Sequence, residues 1–158
     1  ITKRFGLDKT AKEIADELYA FALNDYKYNI GLKKGAGELL RTFSGDGLKI
    51  AIATSNVEEM THAVLKRNGI FEYVDAFAYC DSVGKNKAYP YVYEAAAKAL
   101  GLDAGDCYVF EDVPYAIEGA KKSGAEVIGV YDEYSADKES EMRSKADRYI
   151  MSLDEFTY

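Results

Sequence analysis

Two adjacent carboxylates, Glu111 and Asp112, stand at the end of the apolar stretch CYVFE, which predicts a buried strand. Side by side, the two acids repel each other, and burial penalises both. A hard divalent cation relieves that repulsion, and Mg²⁺ usually takes one or two carboxylates together with waters and phosphate oxygens. The alternative is structural: Asp112 caps the following helix and Glu111 is exposed. The pair alone does not decide between a metal site and a helix cap.

A second polar group follows the apolar stretch IAIAT, which ends at Thr54. Ser55 and Asn56 come next, immediately before a helical pattern. Small hydroxyls and backbone N–H groups at a helix N-terminus suit a phosphate or another anion. The alternative is ordinary N-capping by Ser55 or Asn56, and these residues alone favour capping.

A third group lies in the loop DSVGKNKAYP, which follows the apolar stretch AFAYC and carries Lys85 and Lys87. An ammonium group there could neutralise an oxyanion, although a loop lysine is most often merely solvated. The combination is more informative than its parts. A hydroxyl, a lysine and an acidic pair each follow a successive predicted strand. Together they predict a site for phosphate and magnesium.

Strand and helix patterns alternate along most of the chain, and they must position these residues. The predicted strands are LKIAIAT, AFAYC, CYVFE, EVIGVY and RYIM. The predicted helices contain residues 38–40, 57–68, 89–101, 114–123 and 135–146. Apolar strands separated by amphipathic helices indicate an α/β fold with a parallel sheet covered on both faces. Right-handed crossovers place the carboxyl ends of all strands at one edge, where open α/β sheets bind ligands.

The first part of the chain has a different pattern. Apolar residues at helical spacing (Ile14, Leu18 and Phe21) predict a helix over residues 8–26, with Asp8 or Thr10 as its N-cap. The glycine-containing stretch YKYNIGLKKGAG then breaks the periodicity and predicts a linker. We therefore divide the chain into a helical segment, residues 1–30, and an α/β core, residues 31–158.

Composition narrows the function classes. The chain has 158 residues, a net charge of −7 and a pI near 4.8, and the lack of a basic run argues against nucleic-acid binding. Cys80 and Cys107 lie in apolar stretches, and we expect both to be buried and reduced. The sequence shows no membrane-spanning run and no signal peptide, so we expect a cytoplasmic protein without a membrane partner. It indicates no oligomeric state.

Three stretches, IAIATSN, GKNKAYPYVYEAAAKALG and CYVFEDVPYAIEGAKKSGAEVIGVYD, occur in this order. They resemble the haloacid dehalogenase superfamily, in the subgroup of small-cap phosphatases and β-phosphoglucomutase-like proteins. The resemblance extends from about residue 32 to the C-terminus. It implies a Rossmann-like parallel sheet core, and the helix before that core resembles part of the subgroup's helical cap.

The resemblance also implies roles for particular residues. Thr54 would hold the transferring phosphoryl group, with Ser55 and Asn56 adding contacts to phosphate. Counting back from a proline places the family's lysine at Lys87, with Lys85 as the less favoured choice. Lys87 would stabilise negative charge on the phosphate and on the nucleophile.

In the same resemblance, the acidic pair Glu111 and Asp112 would bind Mg²⁺. The chain departs from the family at Ala88, Tyr91 and Val113, where proline, aspartate and serine are usual. These positions affect loop stiffness and supporting hydrogen bonds more than the reacting groups.

The largest departure concerns the nucleophile. The family carries a nucleophilic aspartate in an Asp-x-Asp pattern after its first strand, which lies between the strands ending here at Thr54 and Glu111. No predicted strand in this chain is followed by Asp-x-Asp, and the chain begins with Ile1. We therefore expect that a segment carrying this strand is absent from these 158 residues. Without it, a central strand would be missing and backbone groups would be unpaired.

The leading functional hypothesis is a Mg²⁺-dependent phosphatase that acts on a small phosphorylated metabolite through an aspartyl-phosphate. A sugar-phosphate mutase of the β-phosphoglucomutase type would use the same site. If the nucleophile is truly absent, the chain would be a non-catalytic binding protein. Substrate specificity in this family depends largely on the cap, so the sequence does not identify the substrate.

Overall fold

The computed structural model of the chain describes residues 8–158. Its α-helices are α1 (Ala11–Tyr28), α2 (Ala36–Gly45), α3 (Glu58–Arg67), α4 (Cys80–Val83), α5 (Tyr91–Ala99), α6 (Pro114–Lys122) and α7 (Glu139–Lys145). Its strands are β1 (Ala51–Thr54), β2 (Ala76–Tyr79), β3 (Tyr108–Glu111), β4 (Glu126–Val130) and β5 (Arg148–Ile150). Short 3₁₀ helices cover Phe71–Tyr73, Ala104–Asp106, Glu133–Lys138 and Leu153–Glu155.

All strand pairs in the described region are parallel, which confirms the α/β fold class. β1 pairs with β2, and β4 pairs with both β3 and β5. Parallel neighbours need crossover connections, and helices supply them here. One boundary was predicted wrongly: residues 135–146 are not a single helix, because a 3₁₀ helix precedes α7.

The strands form two separate sheets, β1–β2 and β3–β4–β5. Within the described residues, no strand pairs with the second edge of β1 or of β3. A cleft of about 430 Å³ lies between these two edges. Consecutive residues of both strands line it, residues 51–53 and 108–111. Successive side chains alternate between the faces of a strand, so a consecutive run indicates that the strand edges border the cleft.

This cleft explains why two strands are less buried than the sequence predicts. Every residue of β1 is only half-buried. Tyr108, at the start of β3, is 43% exposed. Cys107 is also only partly buried, contrary to expectation, and it lines the cleft. Cys80 is buried as expected, and both thiols are free.

Apolar side chains on both sides of the β3–β4–β5 sheet form the core. Ile117 of α6, Met142 of α7 and Val127 of β4 are completely buried on one side. Phe43 of α2 packs with Ile128 and other apolar side chains on the other side. The helices on both faces therefore hold the carboxyl ends of β3 and β4 in fixed positions.

Helix α1 begins where the sequence indicates. Of the two predicted N-caps, Thr10 is used, and it forms a capping box with Glu13. The helix has no buried residues, and its apolar side chains Leu18 and Phe21 are 63% and 67% exposed. Part of the predicted helical segment, residues 1–7, lies outside the described residues. Assignment of α1 to a cap stays a prediction.

Across residues 8–158, none of the helices combines the length and the apolar character that crossing a bilayer requires. The cytoplasmic location stays a prediction.

Candidate active site

Thr54 lies at the carboxyl end of β1, where the chain turns towards α3. Its Oγ1 accepts a hydrogen bond from the Asn56 N–H at 3.0 Å. The N-cap of α3 is Val57, which offers no side-chain oxygen, so neither Ser55 nor Asn56 caps this helix. The capping alternative is therefore wrong. The first N–H groups of α3 remain near Thr54 without a side-chain cap, an arrangement that suits an anion.

The other two polar residues of this turn make local contacts. The Ser55 hydroxyl donates towards Cys80 Sγ at 3.3 Å. The Asn56 side-chain oxygen accepts from the Val57 N–H at 2.9 Å, which fixes the turn after Thr54. In the described part of the chain, no hydrogen bond links this turn to the lysine or to the acidic pair.

Glu111 ends β3 and is buried, with 5% of its surface exposed. One carboxylate oxygen, Oε1, lies 2.6 Å from Lys87 Nζ and 2.9 Å from the Tyr93 hydroxyl. The alternative of an exposed Glu111 is therefore wrong. Burial raises the pKa of Glu111, and the Lys87 ammonium opposes that rise. Burial and the adjacent Glu111 also raise the pKa of Tyr93, so its hydroxyl remains protonated and can donate.

The structure separates the two candidate lysines. Lys87 is mostly buried and contacts Glu111, whereas Lys85 is exposed and lies 5.2 Å from the centre of the Tyr89 ring. The Lys87 backbone passes close to α6 at Gly119, where a Cβ would lie 1.9 Å from the Lys87 carbonyl oxygen. A glycine inside a helical pattern is the signal that could have revealed this contact.

Asp112 is accessible and does not cap α6, because the N-cap is Val113 and no side-chain cap is present. Instead, its Oδ2 lies 3.1 Å from Lys33 Nζ, in the linker between α1 and α2. Lys33 also pairs with Asp132, which follows β4. Sequence reasoning missed both Lys33 and Asp132. Asp132 could have been found, because it follows a predicted strand, as Asp112 does.

The opposite charges of Lys33, Asp112 and Asp132 stabilise one another. Burial tends to lower the pKa of Lys33, but hydrogen bonds to Asp132 and Asp112 outweigh burial and raise it. The same Lys33 contact, together with the Tyr134 N–H, lowers the pKa of Asp132. Lys33 is therefore charged, and a full positive charge stands beside Asp112.

The acidic pair fits part of a magnesium site. Among residues 8–158, no three His, Cys, Asp or Glu side chains converge as a complete metal site. Mg²⁺ needs only one or two carboxylates when waters and phosphate oxygens complete its shell. Asp112 is accessible and already attracts a cation, the Lys33 ammonium. Glu111 is buried, and Lys87 and Tyr93 hold one of its two oxygens.

A family model and several known proteins match this chain. A family model for haloacid dehalogenase-like hydrolases matches residues 3–124. Protein CbbY of Rhodobacter capsulatus is 33% identical over 112 residues, which cover 67% of this chain and 48% of that protein. Validoxylamine A 7'-phosphate phosphatase of Streptomyces hygroscopicus subsp. limoneus is 28% identical over 121 residues, 77% of this chain and 55% of that protein. The chain thus spans about half the length of the curated relatives it matches.

Solved structures share the fold. CbbY of Rhodobacter sphaeroides in complex with phosphate superposes with a TM-score of 0.81 at 24% identity, covering 94% of this chain and 68% of that one. β-Phosphoglucomutase of Clostridium difficile gives a TM-score of 0.75 at 20% identity, covering 90% and 60%. At these identities, the likeness concerns the fold alone. It includes the Rossmann-like arrangement expected from the sequence.

Proposed function

Because the chain belongs to the haloacid dehalogenase-like hydrolases, we propose that it forms part of a Mg²⁺-dependent phosphatase. Its substrate would be a phosphate monoester of a small metabolite. The observation that carries this proposal is the buried contact between Lys87 and Glu111, at 2.6 Å, at one end of the cleft between β1 and β3. Burying a charged pair costs desolvation free energy, and charged groups perturbed by burial and by a charged partner cluster at functional sites.

In this proposal, the nucleophilic aspartate comes from a strand outside these 158 residues, and that strand fills the cleft. Three features support the idea. Both bordering strands are parallel to their neighbours and have an unpaired edge among the described residues. The cleft is lined mainly by apolar side chains, including Ile52, Val109 and Phe110. A strand inserted in the parallel direction would place its carboxyl end beside Thr54, Lys87 and Glu111.

Each candidate site residue would then have a defined role. Thr54 and the first N–H groups of α3 would bind phosphoryl oxygens, with Ser55 and Asn56 shaping the turn. Lys87 would neutralise charge on the phosphoryl group and on the nucleophile, while Glu111 and Tyr93 hold Lys87 and its surroundings in place. Asp112, together with Glu111, would hold Mg²⁺, which would supply further neutralisation of phosphate charge.

The reaction would proceed in two displacements. A carboxylate oxygen of the nucleophile attacks phosphorus, and the bond between phosphorus and the ester oxygen breaks as that oxygen takes up a proton from solvent. Water then loses a proton to solvent as it attacks phosphorus of the aspartyl-phosphate, which releases inorganic phosphate and restores the carboxylate. During both steps Lys87 and Thr54 remain bound to oxygens that do not leave.

The relatives support a phosphorylated substrate. One is named as a phosphatase of validoxylamine A 7'-phosphate, and another, in Clostridium perfringens, as a putative pyrophosphatase that is 32% identical over 92 residues. A Rhodobacter sphaeroides structure holds xylulose-(1,5)bisphosphate. These names support a small phosphorylated molecule as the substrate class of this chain.

Phosphate release is the direct test. The protein in its full natural length is incubated with a panel of small phosphate monoesters, with Mg²⁺ or with EDTA. We expect release only with Mg²⁺, and a loss of about 10²-fold or more in Asp112→Asn. Asp103→Asn is the matched control. Asp103 is an exposed aspartate that precedes β3, whereas Asp112 follows this strand. Hydrolysis of no monoester, or hydrolysis unaffected in Asp112→Asn, would contradict the proposal, and phosphoryl transfer to a second sugar position would identify a mutase.

Hydrogen exchange tests the inserted strand separately. In the 158-residue chain, amides on the cleft edges of β1 and β3 have no strand partner among the described residues and should exchange rapidly. In the protein of full natural length, the same amides should be protected. Equal exchange of residues 51–54 and 108–111 in the two chains would contradict a strand in the cleft.

A further inference from the structure

Lys33 lies in the linker between α1 and α2. Within the described structure, no other ammonium group of this linker contacts the candidate metal site. Lys33 Nζ lies 3.1 Å from Asp112 Oδ2 and contacts Asp132 even more closely. The three side chains are 39%, 36% and 31% exposed, respectively. The ammonium therefore connects the ends of β3 and β4 at the edge of the sheet where substrate would bind.

We propose that the Lys33 ammonium pairs with Asp112 when no metal is bound and releases that carboxylate when a divalent cation binds. The inference rests on the proposed metal site, and it adds that Lys33 competes with the metal for Asp112. The site would thus have two states, one closed by Lys33 and one holding metal. In the metal-bound state, Lys33 would keep only its contact with Asp132.

The competition follows from distances and charge. A magnesium ion binds a carboxylate oxygen at about 2.1 Å, and the ammonium already lies 3.1 Å from the same Asp112 oxygen. Two cations that share one carboxylate repel each other, and this repulsion favours withdrawal of the ammonium when the metal arrives. A lysine stem is long and flexible, and withdrawal requires only rotation about its own bonds.

Asp132 makes that withdrawal favourable. Its Oδ1 accepts a hydrogen bond from the Tyr134 N–H at 2.8 Å, which fixes the side chain, and Oδ2 faces Lys33. The ammonium therefore retains a carboxylate partner after it leaves Asp112. Without Asp132, Lys33 would have only Asp112 to pair with and would compete more strongly for it.

The neighbouring residue provides a matched control. Lys34 has the same side chain in the same linker, but it pairs with Asp154 at 3.1 Å and is 80% exposed. Both substitutions, Lys33→Met and Lys34→Met, remove one positive charge and retain an unbranched side chain. Only the first removes a cation from Asp112.

Calorimetric titration of Mg²⁺ into the protein of full natural length measures the competition without relying on activity. Lys33→Met should bind Mg²⁺ about two- to fivefold more tightly than the unmodified protein, the range expected for loss of one partly exposed ion pair. Lys34→Met should bind as the unmodified protein does. Unchanged or weaker binding in Lys33→Met would overturn the inference, even if Asp112→Asn abolishes binding and so supports the metal site.

Substitution of Asp132 tests the competition independently, because it should change the Mg²⁺ affinity in the opposite direction. Asp132→Asn should weaken Mg²⁺ binding about two- to fivefold in the unmodified background, because the ammonium then pairs with Asp112 alone. In the Lys33→Met background the same change should have a clearly smaller effect. An equal effect in both backgrounds would overturn the proposed role of Asp132. If no variant and no unmodified protein binds Mg²⁺, the metal site itself fails and this inference fails with it.

Discussion

The Lys87 carbonyl oxygen lies so close to α6 that a Cβ at Gly119 would be 1.9 Å from it. The absence of a side chain at Gly119 therefore allows the Lys87 backbone to rest on the helix that follows Glu111. From this position the Lys87 ammonium reaches Glu111 Oε1 at 2.6 Å. A glycine that binds nothing itself thus positions a charged group of the candidate active site.

Gly119→Ala should destabilise the protein and displace Lys87. An alanine in a helix interior normally stabilises by about 0.5–1 kcal/mol relative to glycine, but overpacking here should cost about 1–3 kcal/mol. Gly45→Ala is the matched control, since Gly45 ends α2 with open space around it and should be neutral or stabilising. Urea denaturation of both variants measures the difference. Equal stability of the two would contradict the close approach.

Tyr93→Phe should destabilise the protein by about 1–3 kcal/mol, because the buried Glu111 loses a hydrogen-bond donor at 2.9 Å. Tyr91→Phe, in the same helix, should change stability by less than about 0.5 kcal/mol, since Tyr91 is 46% exposed. The free energy of unfolding of each variant is the measurement. A cost at Tyr91 as large as that at Tyr93 would contradict a specific contribution of the hydrogen bond to Glu111.

Lys87→Met should reduce phosphate release by about 10²–10³-fold in the protein of full natural length, because a preorganised charge at the phosphoryl group is lost. Lys85→Met removes the same charge two residues earlier, from an exposed position near Tyr89, and should retain activity. Initial rates at saturating substrate give the comparison, with thermal unfolding as a check on folding. A greater loss in Lys85→Met would reassign the catalytic lysine.

Asp147 gives a prediction about pH. Its carboxylate lies 2.5 Å from Lys121 Nζ and accepts from the Val127 N–H at 2.8 Å. The Lys121 contact, followed by the Val127 N–H, lowers the pKa of Asp147. A lowered pKa in the folded state stabilises the protein above the unfolded value of about 3.9, and this stabilisation is lost as the pH falls through the folded pKa.

Asp147→Asn should therefore lower the urea midpoint more at pH 7 than at pH 3. The exposed Asp137→Asn, in the preceding 3₁₀ helix, is the control and should show little effect at either pH. Denaturation curves at the two pH values provide the measurement. An equal decrease in the urea midpoint of Asp147→Asn at both pH values would mean that the carboxylate charge does not contribute to stability.

Much of the fold was predictable because its signals are local. Helix periodicity and the Thr10 capping box give the start of α1. Gly69, Gly101 and Gly124 follow the helices that the sequence predicts to end there, and each has a positive φ that glycine adopts without strain. These features depend on residues a few positions apart, so the sequence alone contains them.

The strand ends were predictable for the same reason. Apolar stretches followed by polar residues placed Thr54 and Glu111 at the carboxyl ends of strands, and the structure has both residues there. The parallel arrangement followed from the alternation with helices and is also observed. Their assigned roles in binding phosphate and metal remain proposals.

Tertiary structure decided which acids and cations meet. Lys87 and Glu111 are 24 residues apart in sequence, and Lys33 and Asp132 are 99 apart. No local pattern could show that Glu111 is buried against Tyr93 while Asp112 remains accessible to Lys33. The sequence by itself determined the order of helices and strands and the polar residues at strand ends, because propensity and periodicity act over neighbouring residues. Only the tertiary structure decided burial, ion pairing and the open cleft, because these depend on how distant elements pack together.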